Sequence, residues 1–203
     1  MNSKRYDIVI IPPPEIAAQA IALSQALASQ GSHFTLDGVT LYPHISLYHV
    51  PFTESALTTV FGALRDIAAL TVPFVLRQET YYPDQGVWVG VRYVADKAIL
   101  DLHTSIIAAT RAYRESEEGV RYKEHWVEIP DQELRNIEYC GWAHSFTLYS
   151  PHLTFTRLVR PSADVLAHLS QPEFSFRADH IGVYEVGDHG TCTRCVADFH
   201  LTG

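Results

Sequence analysis

Pro43-His44-Ile45-Ser46-Leu47 and Pro151-His152-Leu153-Thr154-Phe155 spell one pattern twice. Each is a histidine, an apolar residue, a hydroxyl residue and a second apolar residue, inside an alternating run. Along a strand successive side chains point to opposite faces, so His44 shares a face with Ser46, and His152 with Thr154. Ile45, Leu47, Leu153 and Phe155 take the other face and point to a core. One His-x-Ser/Thr is commonplace. Two, each on a strand, point to a paired acid and base with a hydroxyl donor beside each. By the same alternation His49 has the opposite parity to His44 and is expected to face away from that site.

The frame around the two stretches is that of an ordinary globular protein. The chain has 203 residues, 47% hydrophobic and 19% charged, which fits one large domain or two closely packed lobes. No apolar run approaches the roughly 18 residues that span a bilayer. The opening Met1-Asn2-Ser3-Lys4-Arg5-Tyr6-Asp7 leads into the short run Ile8-Val9-Ile10-Ile11 and then three prolines, which is too short for a secretory signal. A cytoplasmic protein without a membrane partner is expected, and a monomer.

The charge narrows the partners. Fifteen Lys and Arg against 23 Asp and Glu give a formal net charge of −8, which does not provide the basic stripe that long nucleic-acid tracts require. A small anionic ligand or a nucleic-acid end fits better, held in a local basic pocket. The three cysteines do not make a disulfide framework. His189 and Cys192-Thr193-Arg194-Cys195 could nominate a metal site. The segment reads as a strand, however, where residues three apart face opposite ways, so no metal is expected there.

Tyr6 to Ile11 reads as a buried strand. Pro14 and Glu15 suit a first helical turn, and Ile16, Ala20, Ile21, Leu23, Ala26 and Leu27 keep helical spacing up to Gly31. Thr40 to Val50 reads as the first histidine strand. Thr53 caps a helix through Leu57, Val60, Phe61, Leu64 and Ile67. A long strand from Val72 towards Tyr82, a turn at Pro83-Asp84-Gln85-Gly86 and a strand from Val87 to Tyr93 follow. Asp96 then caps a helix through Ile99, Leu102, Ile106, Ala109 and Tyr113. After His152 the order returns: Ser162 as a cap, a long strand from Phe174 through Tyr184, a turn at Gly187-Asp188-His189-Gly190, and a last strand. Two copies, about 40–94 and 148–200, point to duplicated, pseudo-symmetric lobes rather than a solenoid. The charged segment 115–139 reads as an insert or lid over a cleft, with a short helix from Asp131.

Histidine, with an unperturbed pKa of about 6.5, gives and accepts protons near neutrality. Two histidines flanking one phosphate can take a proton from the attacking hydroxyl and return one to the departing oxygen. Ser46 and Thr154 can hold the non-bridging oxygens. Such a site needs no metal.

On these residues the chain resembles the 2H phosphoesterase superfamily, with its two H-x-[ST]-hydrophobic signatures, which includes 2′-5′ RNA ligase-like proteins and cyclic phosphodiesterases. Ser46 stands where threonine is more usual. Arg157, three residues beyond Thr154, resembles a basic residue that often follows the second signature in the RNA ligase-like branch. The resemblance implies a bilobal α+β fold in a single domain over residues 1–203, two antiparallel sheets with outer helices and a central cleft. It implies hydrolysis of 2′,3′-cyclic phosphates of nucleotides or RNA ends to a 2′-phosphate, without metal or other cofactor, with His44 and His152 as catalysts. Alternatives are an RNA 2′-5′ ligase, another small-nucleotide phosphodiesterase, or a non-catalytic nucleotide-binding protein on the same fold.

Tyr42, Tyr82 and Tyr184 are candidates to stack on a base, and Arg157 to contact phosphate if its strand bulges. Tyr48 shares the parity of His44 but lies farther from the phosphate. Trp88, Trp126 and Trp142 are expected to be packing residues.

Overall fold

The computed structural model describes residues 4–84, 87–115, 130–162 and 164–203. Trp126 and much of the expected lid lie outside them. Nine strands are described: β1 (Lys4–Ile10), β2 (Ile45–Phe52), β3 (Phe74–Leu76), β4 (Gln78–Asp84), β5 (Trp88–Tyr93), β6 (His152–Arg157), β7 (Phe176–Ala178), β8 (His180–Val186) and β9 (Cys192–His200). The helices among the described residues are α1 (Pro14–Ala28), α2 (Glu54–Leu70), α3 (Lys97–Thr110) and α4 (Asp131–Cys140).

The strands form two antiparallel sheets, one in the order β4-β5-β6-β2-β1-β8-β9 and a small one pairing β3 with β7. The large sheet has a weak seam. β2 and β6 meet through the single register pair Ile45↔Leu153, whereas β1–β2 and β5–β6 run as full ladders. Each motif strand is therefore stitched firmly on one side and barely on the other. The sheet can diverge along that seam, which is where a cleft between two halves forms.

Each long strand expected from sequence is in fact two. The first breaks at Arg77 between β3 and β4, and the second at Asp179 between β7 and β8. The chain bends there and serves both sheets, as strands do at sheet corners.

One face of the large sheet packs on helices. Ile8, Ile10, Ile45, Leu47, Val89, Val91, Leu153, Phe155, Ile181 and Val183 are fully buried in the main core. α1 lies against β6, α3 against β2, and α2 against α3 and β9. Capping follows the sequence reading in two helices. Thr53 accepts from the Ala56 N–H, and Asp96 from the Ala98 and Ile99 N–H groups, each cap contributing about 1 kcal/mol. Asp164 rather than Ser162 takes the N-cap position of a short 3₁₀ turn, Val165–His168, which stands where the helix was expected and has no side-chain cap. No described helix is long and apolar enough to cross a membrane.

Candidate active site

The face of the sheet opposite the helices carries the polar residues. Here both motif strands depart from ideal alternation. β2 pairs with β1 as Ile8↔Tyr48 and then Val9↔Ser46, so Leu47 is an extra residue, a β-bulge. β6 pairs with β5 as Val89↔Thr156 and then Gly90↔Thr154, so Phe155 is extra in the same way. Both bulges follow the hydroxyl residue of the motif directly. Each resets the parity downstream, and this corrects two readings. His49 lines the cleft with His44 instead of facing away. Tyr48 turns into the core and donates its hydroxyl to the Cys140 carbonyl. The corresponding bulge in β6 puts Arg157 on the cleft side, as the sequence reading required of it.

Two side chains secure the first bulge. The Tyr149 hydroxyl donates to the Ser46 carbonyl at 2.9 Å, and His103 Nδ1–H donates to the Leu47 carbonyl at 2.7 Å. Their rings stack 4.0 Å apart and 5° from parallel. His103 Nε2 accepts from the Phe146 N–H, which fixes its tautomer. Burial pushes His103 down to about 4, so it stays neutral and serves as a structural prop.

Across the seam, antiparallel pairing at Ile45↔Leu153 sets His44 opposite Thr154 and Ser46 opposite His152, one residue to either side. Each histidine thus faces the other's hydroxyl partner. Both rings are anchored alike: His44 Nδ1–H donates to the Tyr42 carbonyl and His152 Nδ1–H to the Ser150 carbonyl, each at 2.8 Å. A carbonyl only accepts, so Nδ1 carries the proton in both, and Nε2 is the end available for chemistry.

The surroundings then differ. His44 is 14% exposed, and its Nε2 lies 3.8 Å from Oδ2 of Asp7, a fully buried carboxyl on β1. Burial pushes His44 down to about 4, aided by repulsion from His152 and opposed by the Tyr42 carbonyl. Burial pushes Asp7 up to about 8, against the hydrogen bond from Ser46 and the charge of Arg5. Both groups are neutral near pH 7, so the contact is not an ion pair there. Ser46 Oγ lies 2.5 Å from Asp7 Oδ2. Sequence reading passed over Asp7. An acid inside the buried run 6–10, whose other residues are apolar or aromatic, was the signal.

On the other side His152 is exposed, and the Tyr82 hydroxyl lies 3.3 Å from Thr154 Oγ1. Tyr82 stands on β4 and reaches over β5 at Gly90. A Cβ on Gly90 would sit 2.8 Å from the Tyr82 hydroxyl and 2.3 Å from the Leu153 carbonyl, so only glycine leaves this path open. Arg92, paired across the strands with His152, packs on the Tyr82 ring at 4.8 Å.

The cleft has a volume of about 470 Å³. His44, Ser46, His49, Tyr82, Arg92, His152 and Thr154 form its floor, and Trp88, Trp142 and Phe34 belong to its walls. Trp88 and Trp142, expected as packing residues, both line this space, and Trp142 packs against the core as well. Arg157 stands at the edge, its guanidinium 5.2 Å from the Trp88 ring centre and donating to His189 Nδ1 at 3.0 Å. Positive groups therefore gather here in a chain of net charge −8.

Tyr42 and Tyr184 are not brought to the cleft. Their rings pack on each other, 5.3 Å apart, in a small apolar cluster with Val9, Ile11 and Cys192. The Tyr42 N–H is taken by the Cys192 carbonyl, so residues 40–44 are not the regular strand the alternation predicted. Cys192 is buried and Cys195 exposed, but a bulge at Thr193 sets them opposite Val186 and Tyr184 and so on one face of the sheet, against the strand parity expected. They do not combine with His189 into a ligand set among the described residues.

No family model matches the sequence, and no curated protein sequence matches it. Solved structures do. TT0787 of Thermus thermophilus is 19% identical, with 98% of each chain covered and a TM-score of 0.59. E. coli LigT in its apo form is 13% identical over the whole of both chains, with a TM-score of 0.58. A phosphoesterase matches equally, at 13% and 0.58 over both full chains. LigT has also been solved with phosphate, NADP+, ATP and 3′-AMP. This chain shares the fold of these proteins from end to end.

Proposed function

We propose that this chain is a metal-independent phosphodiesterase that opens 2′,3′-cyclic phosphates of nucleotides or RNA ends to 2′-phosphates. The observation that carries the reading is the quartet at the seam, with two histidines fixed in the same tautomer and each facing a hydroxyl. That phosphate and 3′-AMP are ligands of LigT, which shares the fold, supports a phosphate-bearing nucleotide here.

In the reaction, a water attacks phosphorus as the bond to the 3′-oxygen breaks. His44, held neutral by burial, accepts the water proton on Nε2. His152, in its protonated form, gives a proton from Nε2 to the departing 3′-oxygen. Water thus supplies the new P–O bond and the proton count closes over the two rings. Thr154 donates to a non-bridging oxygen, with Tyr82 holding its rotamer. A neutral Asp7 can donate to Ser46 Oγ, which leaves the Ser46 hydroxyl proton for the phosphate. Arg92 and Arg157 supply positive potential at the edge, and Trp88 or Trp142 offers a face for a base.

The test is turnover of nucleoside 2′,3′-cyclic phosphates in excess EDTA, with the product identified by phosphorus NMR. A 2′-phosphate is expected. No turnover, or a 3′-phosphate product, sinks the proposal.

A further inference from the structure

Behind His44, away from its hydroxyl partners, lies a second constellation. One ligand atom each from Asp7, His44 and Cys192 lies within 4.8 Å of the other two. Asp7 and Cys192 are fully buried, and His44 is reached from the cleft. We infer that Asp7, His44 and Cys192 form a zinc site that takes His44 out of the reaction, so that this phosphodiesterase is switched off by zinc.

Three observations carry the site. The donor set is thiol, imidazole and carboxylate, the set that suits Zn²⁺ over Mg²⁺ or Ca²⁺. His44 already has the outer arrangement of a ligating histidine: Nδ1–H is tied to the Tyr42 carbonyl, and Nε2 lies 3.8 Å from Asp7 Oδ2. Asp7 Oδ1 is buried without a hydrogen-bond partner among the described residues, an arrangement that costs about 1–3 kcal/mol unless something binds it. An ion bound to this carboxylate, whose Oδ2 lies 3.8 Å from His44 Nε2, supplies the partner that the buried group lacks, and Ser46 then donates to Oδ2.

The spacing fits. Zn–N and Zn–S bonds of about 2.0–2.3 Å put tetrahedral donors roughly 3.3–3.8 Å apart, so the widest pair closes by about 1 Å. Binding releases two protons to solvent, one from the Cys192 thiol and one from the Asp7 carboxyl, in exchange for a Zn–S and a Zn–O bond. A water from the cleft takes the fourth position. With Nε2 on the metal, His44 cannot accept a proton from the attacking water. Inhibition rests on the function proposed above, whereas the site itself does not.

Protein stripped with EDTA and desalted is titrated with Co²⁺ and then Zn²⁺, with absorption recorded throughout. One equivalent of Co²⁺ should give visible tetrahedral bands and a near-ultraviolet thiolate-to-cobalt band, both bleached by Zn²⁺. Cys195→Ser should keep the thiolate band, and Cys192→Ser should lose it. Losing a direct ligand should weaken zinc binding at least about tenfold, since even supporting contacts cost 10–100-fold. Cys192→Ser should hydrolyse at the wild-type rate in EDTA and need at least about tenfold more Zn²⁺ for inhibition. Absence of the thiolate band from wild-type protein overturns the site, whatever the variant does. So does a band that survives Cys192→Ser. If the band depends on Cys192 but no cyclic phosphate turns over, the zinc site stands and the phosphodiesterase reading falls. Turnover without the band reverses that result.

Discussion

At the start of β2 and of β6 a histidine is followed two residues later by a hydroxyl, then by a bulged apolar residue, and its Nδ1 is tied to the carbonyl two residues back. Yet His44 lies mostly buried beside the carboxyl of Asp7, while His152 stands exposed, with Tyr82 and Arg92 nearby. The backbone is repeated; the neighbours are not. The neighbours come from β1 on one side and from β4 and β5 on the other, and they set what each ring can do. Burial keeps His44 neutral, which suits a proton acceptor, and exposure at the mouth suits His152 to meet the leaving group.

The widest test of this asymmetry is a leaving group that needs no proton. His44→Ala and His152→Ala should each lower kcat on a cyclic phosphate by about 10²–10⁴-fold. With a p-nitrophenyl phosphodiester, His152→Ala should regain most of its loss and His44→Ala should not. The opposite rescue exchanges the two roles, and full activity in either variant removes the mechanism.

The likeness of the two backbones can be tried through stability. Phe155 and Leu47 are the bulged residues and both are fully buried. Phe155→Ala should cost about 3–5 kcal/mol and Leu47→Ala about 2–5 kcal/mol in urea unfolding. A loss under about 1 kcal/mol in either would mean that its bulge relaxes without strain and is not held by the core.

Much of this was readable in the sequence because two periodicities were clean. Alternation placed His44 with Ser46 and His152 with Thr154, and the caps at Thr53 and Asp96 marked two helix starts. Alternation failed where a bulge intervened, because an extra residue leaves no trace in composition. His49, Tyr48 and the cleft-side Arg157 all follow from two inserted residues. Trp88 was not read as a cleft residue because an aromatic on a strand looks the same whether it meets a core or a cleft. Asp7 was missed for a different reason: its partners, His44, Ser46 and Cys192, are distant in sequence and only the strand order β2-β1-β8-β9 gathers them.

Asp7 and His44 should also leave a mark on stability against pH, measured in EDTA. Asp7 is raised from 3.8 to about 8, so the native state holds an extra proton between those values, and stability falls as pH rises through them. His44 is lowered from 6.5 to about 4, so there the unfolded state holds the extra proton, and stability rises with pH between about 4 and 6.5. The two slopes cancel up to about pH 6.5. From there to about pH 8 only that of Asp7 remains, a loss of up to about 1.4 kcal/mol per pH unit. Asp7→Asn should flatten this decline. A wild-type curve already flat over that interval means Asp7 is ionised in the folded protein.

The smallest effect isolates the other side of the seam. Tyr82→Phe removes only the hydroxyl beside Thr154 and keeps the ring under Arg92. A single neutral hydrogen bond contributes about 1 kcal/mol, so kcat/KM should fall about fivefold. Removing one neutral hydrogen bond carries no pH dependence of its own, so the loss should be the same at pH 6 and pH 8. An effect at Asp7 should change over that interval, because the carboxyl exchanges its proton there. Loss from Tyr82→Phe that varies with pH would couple Thr154 to a titrating group, and the two hydroxyls of the quartet would then be governed by the same kind of partner after all.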